Sequence, residues 1–265
     1  MPCPAQISTG VQAMADKTAI WKKGAAILFW LAAWQIVAML ANRSLLLPIP
    51  TPATTLMALG ILAGEGGFYL KVGASLLRIC GGFLLALTVG TLCAFLSARW
   101  AFFRVLTQPL LQLIRAIPVA SFTILVFLWV SRERIPGCIS FLTVFPIVWA
   151  NVESGLTAAD HDLTEMAKVF GMKNTRILRE ITLPGIRPYF SAAAATGLGF
   201  AWKSGVAAEV ICRTGNSIGD LLWSSKTAVD YDEVFALTLV IVLLSVLLQT
   251  AAQAILRGGK RRGTA

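Results

Sequence analysis

Residues 161–184 read HDLTEMAKVFGMKNTRILREITLP, a polar stretch set between long apolar runs. It is too polar to enter a membrane and too patterned to be a plain connector. Asp162 followed three residues later by Glu165 is a capping-box pattern, in which each side chain accepts from the other's backbone N–H. A helix is predicted to start there and to run through Met166, Ala167, Lys168, Val169 and Phe170. Gly171, the residue type best able to adopt a left-handed conformation, ends it. Asn174 or Thr175 caps a second helix through Arg176, Ile177, Leu178, Arg179, Glu180 and Ile181, which Leu183-Pro184 terminates. His161, the only histidine, reads as a solvated loop residue.

Outward from this loop the chain is apolar. Hydrophobic residues make up 57% of the 265 and charged ones 14%, against roughly 45–50% and 25% in soluble domains. Uncharged runs of about 20 residues suffice to cross a hydrocarbon core. Spans are predicted at Gly24 to Asn42, Val72 to Ala98, Val105 to Val130, Gly137 to Leu156, Pro188 to Cys212 and Val234 to Leu256, so the fold class is all-α with six transmembrane helices. The first run follows Lys22 and Lys23 as a signal peptide would, yet it is longer than the usual h-region of about 7–15 residues and lacks a small-x-small cleavage site. Pro48, Pro50 and Pro52 break the run Ser44 to Gly64, leaving an interfacial helix over Pro52 to Leu62 with proline in its first turn.

Charge orients the spans, because cytoplasmic loops are enriched in Lys and Arg. With the N-terminus inside, Lys17, Lys22, Lys23, Arg99, Arg104, Lys168, Lys173, Arg176, Arg179, Arg187, Arg257, Lys260, Arg261 and Arg262 are cytoplasmic, whereas Arg43, Lys71, Arg132, Arg134, Arg213 and Lys226 are outside. Thr55 and Ser217 then face outward. A seventh span over 44–64 would put the most basic loop outside. The chain divides into residues 1–70, a membrane domain over 71–256 containing the loop 158–187, and a basic tail 257–265 read as an anchor near anionic lipid headgroups.

The loop resembles the cytoplasmic signature of ATP-binding-cassette importer permeases: Glu-Ala-Ala, three residues, Gly, nine residues, then Ile-x-Leu-Pro. Here Glu165, Ala167, Gly171, Ile181, Leu183 and Pro184 match at that spacing, and Met166 replaces one Ala with another good helix former. The resemblance extends over roughly Leu45 to Arg257. Leu47-Pro48 with Pro50 and Pro52, Ser75-Leu76-Leu77-Arg78 with Gly82-Phe83, Pro109-Leu110-Leu111-Gln112 with Arg115-Ala116-Ile117-Pro118, and Gly199-Phe200-Ala201-Trp202 with Ala208-Glu209 are similar to permeases for nitrate, sulfonate, taurine and bicarbonate. It implies the type I importer permease fold and a separate ATPase subunit gripping the first loop helix. It further implies two permease copies, most simply a homodimer, and an extracytoplasmic solute-binding protein. The implied solute is a small anion, with a thiamine-pyrimidine precursor as the alternative.

Other functions find little support. No GxxxxGK[ST] stretch exists, and Gly258-Gly259-Lys260-Arg261 lacks the first glycine and the hydroxyl. ATP and Mg are therefore expected in the partner, with no cofactor and no catalytic residue in this chain. A net charge of +10 is spread over short loops that offer no nucleic-acid groove. Cys3, Cys80, Cys93, Cys138 and Cys212 form no CxxC pair and read as packing residues, and no metal site is predicted. An ion-coupled carrier would need an inverted repeat with interrupted helices, which is not evident. Lys203, Glu209, Glu153 and Arg115 are candidates for the translocation path. Lys203 either lines the passage, snorkels outward, or pairs with Glu209 or Glu153.

Overall fold

The computed structural model describes residues 5–44, 49–158 and 161–258. Cys3, the Leu47-Pro48 pair and the tail beyond residue 258, Arg262 included, lie outside the described residues. So do the side chains of His161 and Asp162, and with them the Asp162–Glu165 capping box. All regular structure among the described residues is helical: α1 (Ala5–Ser44), α2 (Pro52–Gly64), α3 (Gly66–Arg99), α4 (Ala101–Ala116), α5 (Val119–Phe127), α6 (Ile135–Ala158), α7 (His161–Val169), α8 (Asn174–Ile177), α9 (Leu183–Cys212), α10 (Ile218–Thr227) and α11 (Tyr231–Gly258).

Among the described residues, four helices are apolar and long enough to cross a membrane: Gly24–Arg43 within α1, α3, α6, and Tyr231–Leu256 within α11. The expected third span, Val105 to Val130, is not one helix. It is the pair α4 and α5, bent by 104°, because Pro118 forces Ile117 into an extended conformation (φ −78°, ψ 126°). The expected span Pro188 to Cys212 lies within α9, whose 30 residues extend about 45 Å at 1.5 Å each. Its composition is less apolar, since small residues, Lys203 and Glu209 dilute it, and α3, α6 and α11 pack against much of its surface.

The core is built from α3, α6 and α9, which meet through glycines. A Cβ on Gly82 of α3 would lie 2.0 Å from the Gly137 carbonyl oxygen of α6, and one on Gly205 of α9 would lie 2.6 Å from Ile79. Between apolar helices in lipid, dispersion at close range replaces the hydrophobic effect as the cohesive force, so small residues at crossings are worth their lost side chains. Ile79, Val144, Val148, Ala201 and Trp202 fill the centre, and the Trp202 indole donates to the Ile241 carbonyl of α11 at 2.9 Å. Cys80, Cys93 and Cys138 are half-buried and Cys212 is buried, all as free thiols.

At the edges, the helix expected from Pro52 is present, whereas the expected stop at Leu183-Pro184 is not. Helix α2 starts at Pro52 with Thr51 and Thr54 forming a reciprocal cap. Helix α1 touches the body sparingly: Trp34 donates to the Pro50 carbonyl and stacks on Phe235. Leu183-Pro184, however, does not end a helix. Residues Leu178–Thr182 form a π-helical turn, with Leu183 N–H reaching the Leu178 carbonyl, and the chain continues directly into α9. The wider turn accommodates a proline ring that would collide with the carbonyl four residues back in an α-helix.

Candidate functional site

The polar loop forms two helices joined at a left-handed glycine, as its spacing requires. Gly171 has φ +74°. Its N–H donates to the Lys168 carbonyl, and the next N–H, of Met172, donates to Ala167. This is a Schellman cap, which satisfies carbonyls otherwise orphaned at a helix end. The second helix lacks the side-chain cap expected from Asn174 or Thr175. Lys173 occupies the cap position with no side-chain bond, and Asn174 is already helical. Ala167 is buried, whereas Met166, Val169 and Phe170 are exposed, the last two by 86% and 78%. Apolar side chains at the tip of a polar loop form a knob with no partner within the described chain. Ile181 is half-buried in the π-helical turn, with Leu183 and Pro184 exposed beside it.

The four candidate path residues are not brought together. Glu153 of α6 accepts from Ser97 Oγ and from Arg104 Nε, both at 2.9 Å, so it ties the start of α4 to α3 and α6. Arg115, at the end of α4, donates to the Pro146 carbonyl at 2.8 Å. Glu209 is fully buried. Its Oε2 accepts from Ser75 Oγ (2.9 Å) and from Gly219 N–H (3.2 Å), while Ser75 Oγ accepts from Ile218 N–H (3.0 Å).

Lys203 differs from the other three. It has no ion pair among the described residues, which removes the expected pairing with Glu209 or Glu153. It stands on an uncovered stripe of α9 made of Ala192, Thr196, Phe200, Lys203, Ala207 and Ile211. The stripe repeats every three or four residues along one helix side. Glu209 lies six residues on, about 120° around the axis, which explains why it faces the core instead.

Sequence reasoning missed the role of Ser75, although Ser75 stood within a quoted motif. It also missed the anchor at Gly219. A hydroxyl and a carboxyl 134 positions apart leave no local signal. The break at Ile117-Pro118 was legible from proline's effect on the preceding residue.

A bundle centred on a shielded, small-residue helix, with a polar two-helix loop displaying an apolar knob, defines a transport permease. Residues 86–261 match the profile of the family described as binding-protein-dependent transport system inner membrane component, and the chain belongs to that family. It is similar to the taurine transport system permease protein TauC of Escherichia coli, 27% identical over 86% of this chain and 84% of that one. It is also similar to the bicarbonate transport system permease protein CmpB of Synechococcus elongatus, 26% identical over 61% and 58%. Among solved structures, the fold matches a bacterial ABC transporter involved in the import of the acidic polysaccharide alginate, with TM-score 0.61 at 17% identity over 98% of both chains.

Proposed function

We propose that the chain forms half of the membrane passage of an ATP-driven importer for a small anion such as a sulfonate, taurine, nitrate or bicarbonate. Two copies pair around a two-fold axis, and an extracytoplasmic binding protein delivers the solute. A separate ATPase subunit, which binds the ATP and Mg, receives α7. The polar loop and both termini face the cytoplasm, consistent with the distribution of basic residues.

The observation that carries the anion reading is Lys203. An ammonium on a membrane helix costs about 2.5–3.5 kcal/mol on insertion scales and is retained where it faces a cavity or a partner. Here it has no partner among the described residues and stands on an open side of α9, a helix whose other faces are packed. Two such stripes facing each other would enclose a passage with positive potential, which favours anions. Glu209, Glu153 and Arg115 support the walls through the contacts above.

The test is uptake in proteoliposomes holding the permease, its ATPase and its binding protein, with ATP supplied at the ATPase side. We expect accumulation of a labelled small anion that requires both ATP and the binding protein. Accumulation of a neutral pyrimidine with no anion taken up would reject the anion reading. Uptake driven by an ion gradient without ATP would reject the importer class.

A further inference from the structure

A cavity of about 1130 Å³ opens between α3, the start of α9 and the end of α11. Arg179 and Arg187 both line it, and no acidic residue does. Neither arginine has an ion pair among the described residues. The remaining walls are largely apolar, with Phe95, Ile186, Phe190 and Leu256 among them. Two unpaired guanidiniums beside an apolar hollow match the chemistry of an amphiphile with an anionic head.

Depth points the same way. Phe95 lies one turn before Arg99 at the end of α3, Leu256 directly precedes Arg257, and Arg187 directly precedes the apolar run of α9. The cavity therefore sits where the membrane meets water on the side of the polar loop. It adjoins the Lys203 stripe and shares Ala192 and Thr196 with the end of that stripe nearer the polar loop. Its α9 wall centres on Pro188, Ser191 and Ala195, which lie roughly a quarter turn from Lys203 at 3.6 residues per turn. Arg179 belongs to the π-helical turn that joins the polar loop to α9, so an occupant would touch the segment through which loop movement reaches the membrane.

We propose that this cavity binds one anionic phospholipid of the adjacent leaflet, its phosphate held by Arg179 and Arg187 and its acyl chains laid over Phe95, Phe190 and Leu256. The proposal rests on the orientation above, in which the polar loop faces the cytoplasmic leaflet. It does not depend on which solute is carried. Two arginines near an anionic headgroup should favour phosphatidylglycerol over phosphatidylcholine by on the order of thirtyfold.

The complex of permease and ATPase, purified from bilayers of equimolar phosphatidylglycerol and phosphatidylcholine, is examined by native mass spectrometry for retained lipid. The wild-type comparison needs no variant, so it stands even if a variant fails to assemble. We expect phosphatidylglycerol to be retained preferentially, the double variant R179Q/R187Q to lose that preference, and Lys173→Gln, in the same loop outside the cavity, to keep it. Equal retention of both lipids by the wild type would overturn the proposal, as would unchanged preference in the double variant. Displacement of the lipid by millimolar inorganic phosphate would assign the site to a soluble anion instead. Disulfide formation between copies carrying Ser191→Cys would assign the cavity to the permease pair. Arginine-dependent retention in a complex that imports no anion would refute the solute reading and leave the lipid site standing.

Discussion

At the scale of single residues, Gly171 and Lys203 carry the strongest expectations. Nothing lies within 4 Å of a Cβ built on Gly171, so space does not exclude a side chain there; its φ of +74° does. A β-branched residue in that conformation costs about 1–3 kcal/mol and would re-aim α8 relative to α7. Gly171→Val should abolish uptake while the protein still inserts and binds its ATPase, whereas Gly171→Asn, which tolerates the left-handed region, should retain most of it. Equal uptake by the two variants would show that backbone conformation at this position does not govern coupling. Lys203→Met keeps the stem and removes the charge. Assembly and ATP turnover stimulated by the binding protein should be normal, with anion uptake lost. Unchanged uptake would remove Lys203 from the passage.

At the scale of elements, the short helix α10 depends on a carboxyl from another helix. Glu209 and Ser75 together accept from Gly219 and Ile218, the first N–H groups of α10, beside the Ser217 cap that accepts from Asp220. Arg78 adds bonds to the carbonyls of Gly215 and Asn216. The packing is close as well, since a Cβ on Gly219 would lie 2.4 Å from that of Glu209. Leaving buried donors unsatisfied costs about 1–3 kcal/mol each. Glu209→Ala should therefore free α10, raising amide hydrogen exchange across Ile218–Thr227 by one to two orders of magnitude while α3 and α6 stay protected. Unaltered exchange in α10 would show that the anchor lies elsewhere. The α3–α6 crossing predicts a different failure: Gly82→Ala meets backbone rather than a movable side chain, so loss of the folded permease is expected, measured as the yield of monodisperse protein.

At the scale of the whole molecule, the distribution of basic residues predicts the topology. Cysteine labelling tests it, but Thr55 and Ser217 are unsuitable reporters of the outer side because both are buried, at 1% and 0% exposure. Ala53 and Asn216 are their exposed neighbours. In a background lacking native cysteines, Ala53→Cys and Asn216→Cys should react with an impermeant reagent in intact cells, and Lys173→Cys only after permeabilisation. Labelling at position 173 in intact cells would invert the orientation.

What the sequence determined alone was much of what local chemistry sets: the apolar runs, the short helix that begins at Pro52, and the two-helix loop with its left-handed Gly171. These follow from hydropathy over a window and from the backbone preferences of proline and glycine, which act within a few residues. Tertiary structure decided the rest. That Pro184 sits in a helix continued through a π-helical turn depends on the packing that holds α9 in line. That Glu209 anchors α10, Glu153 binds Arg104 and Lys203 is left without a partner among the described residues depends on which helix faces meet. Three similar charged residues on apolar helices are indistinguishable in sequence, and only the crossings of α3, α6 and α9, allowed by glycines far apart in the chain, select which are enclosed and which stay open.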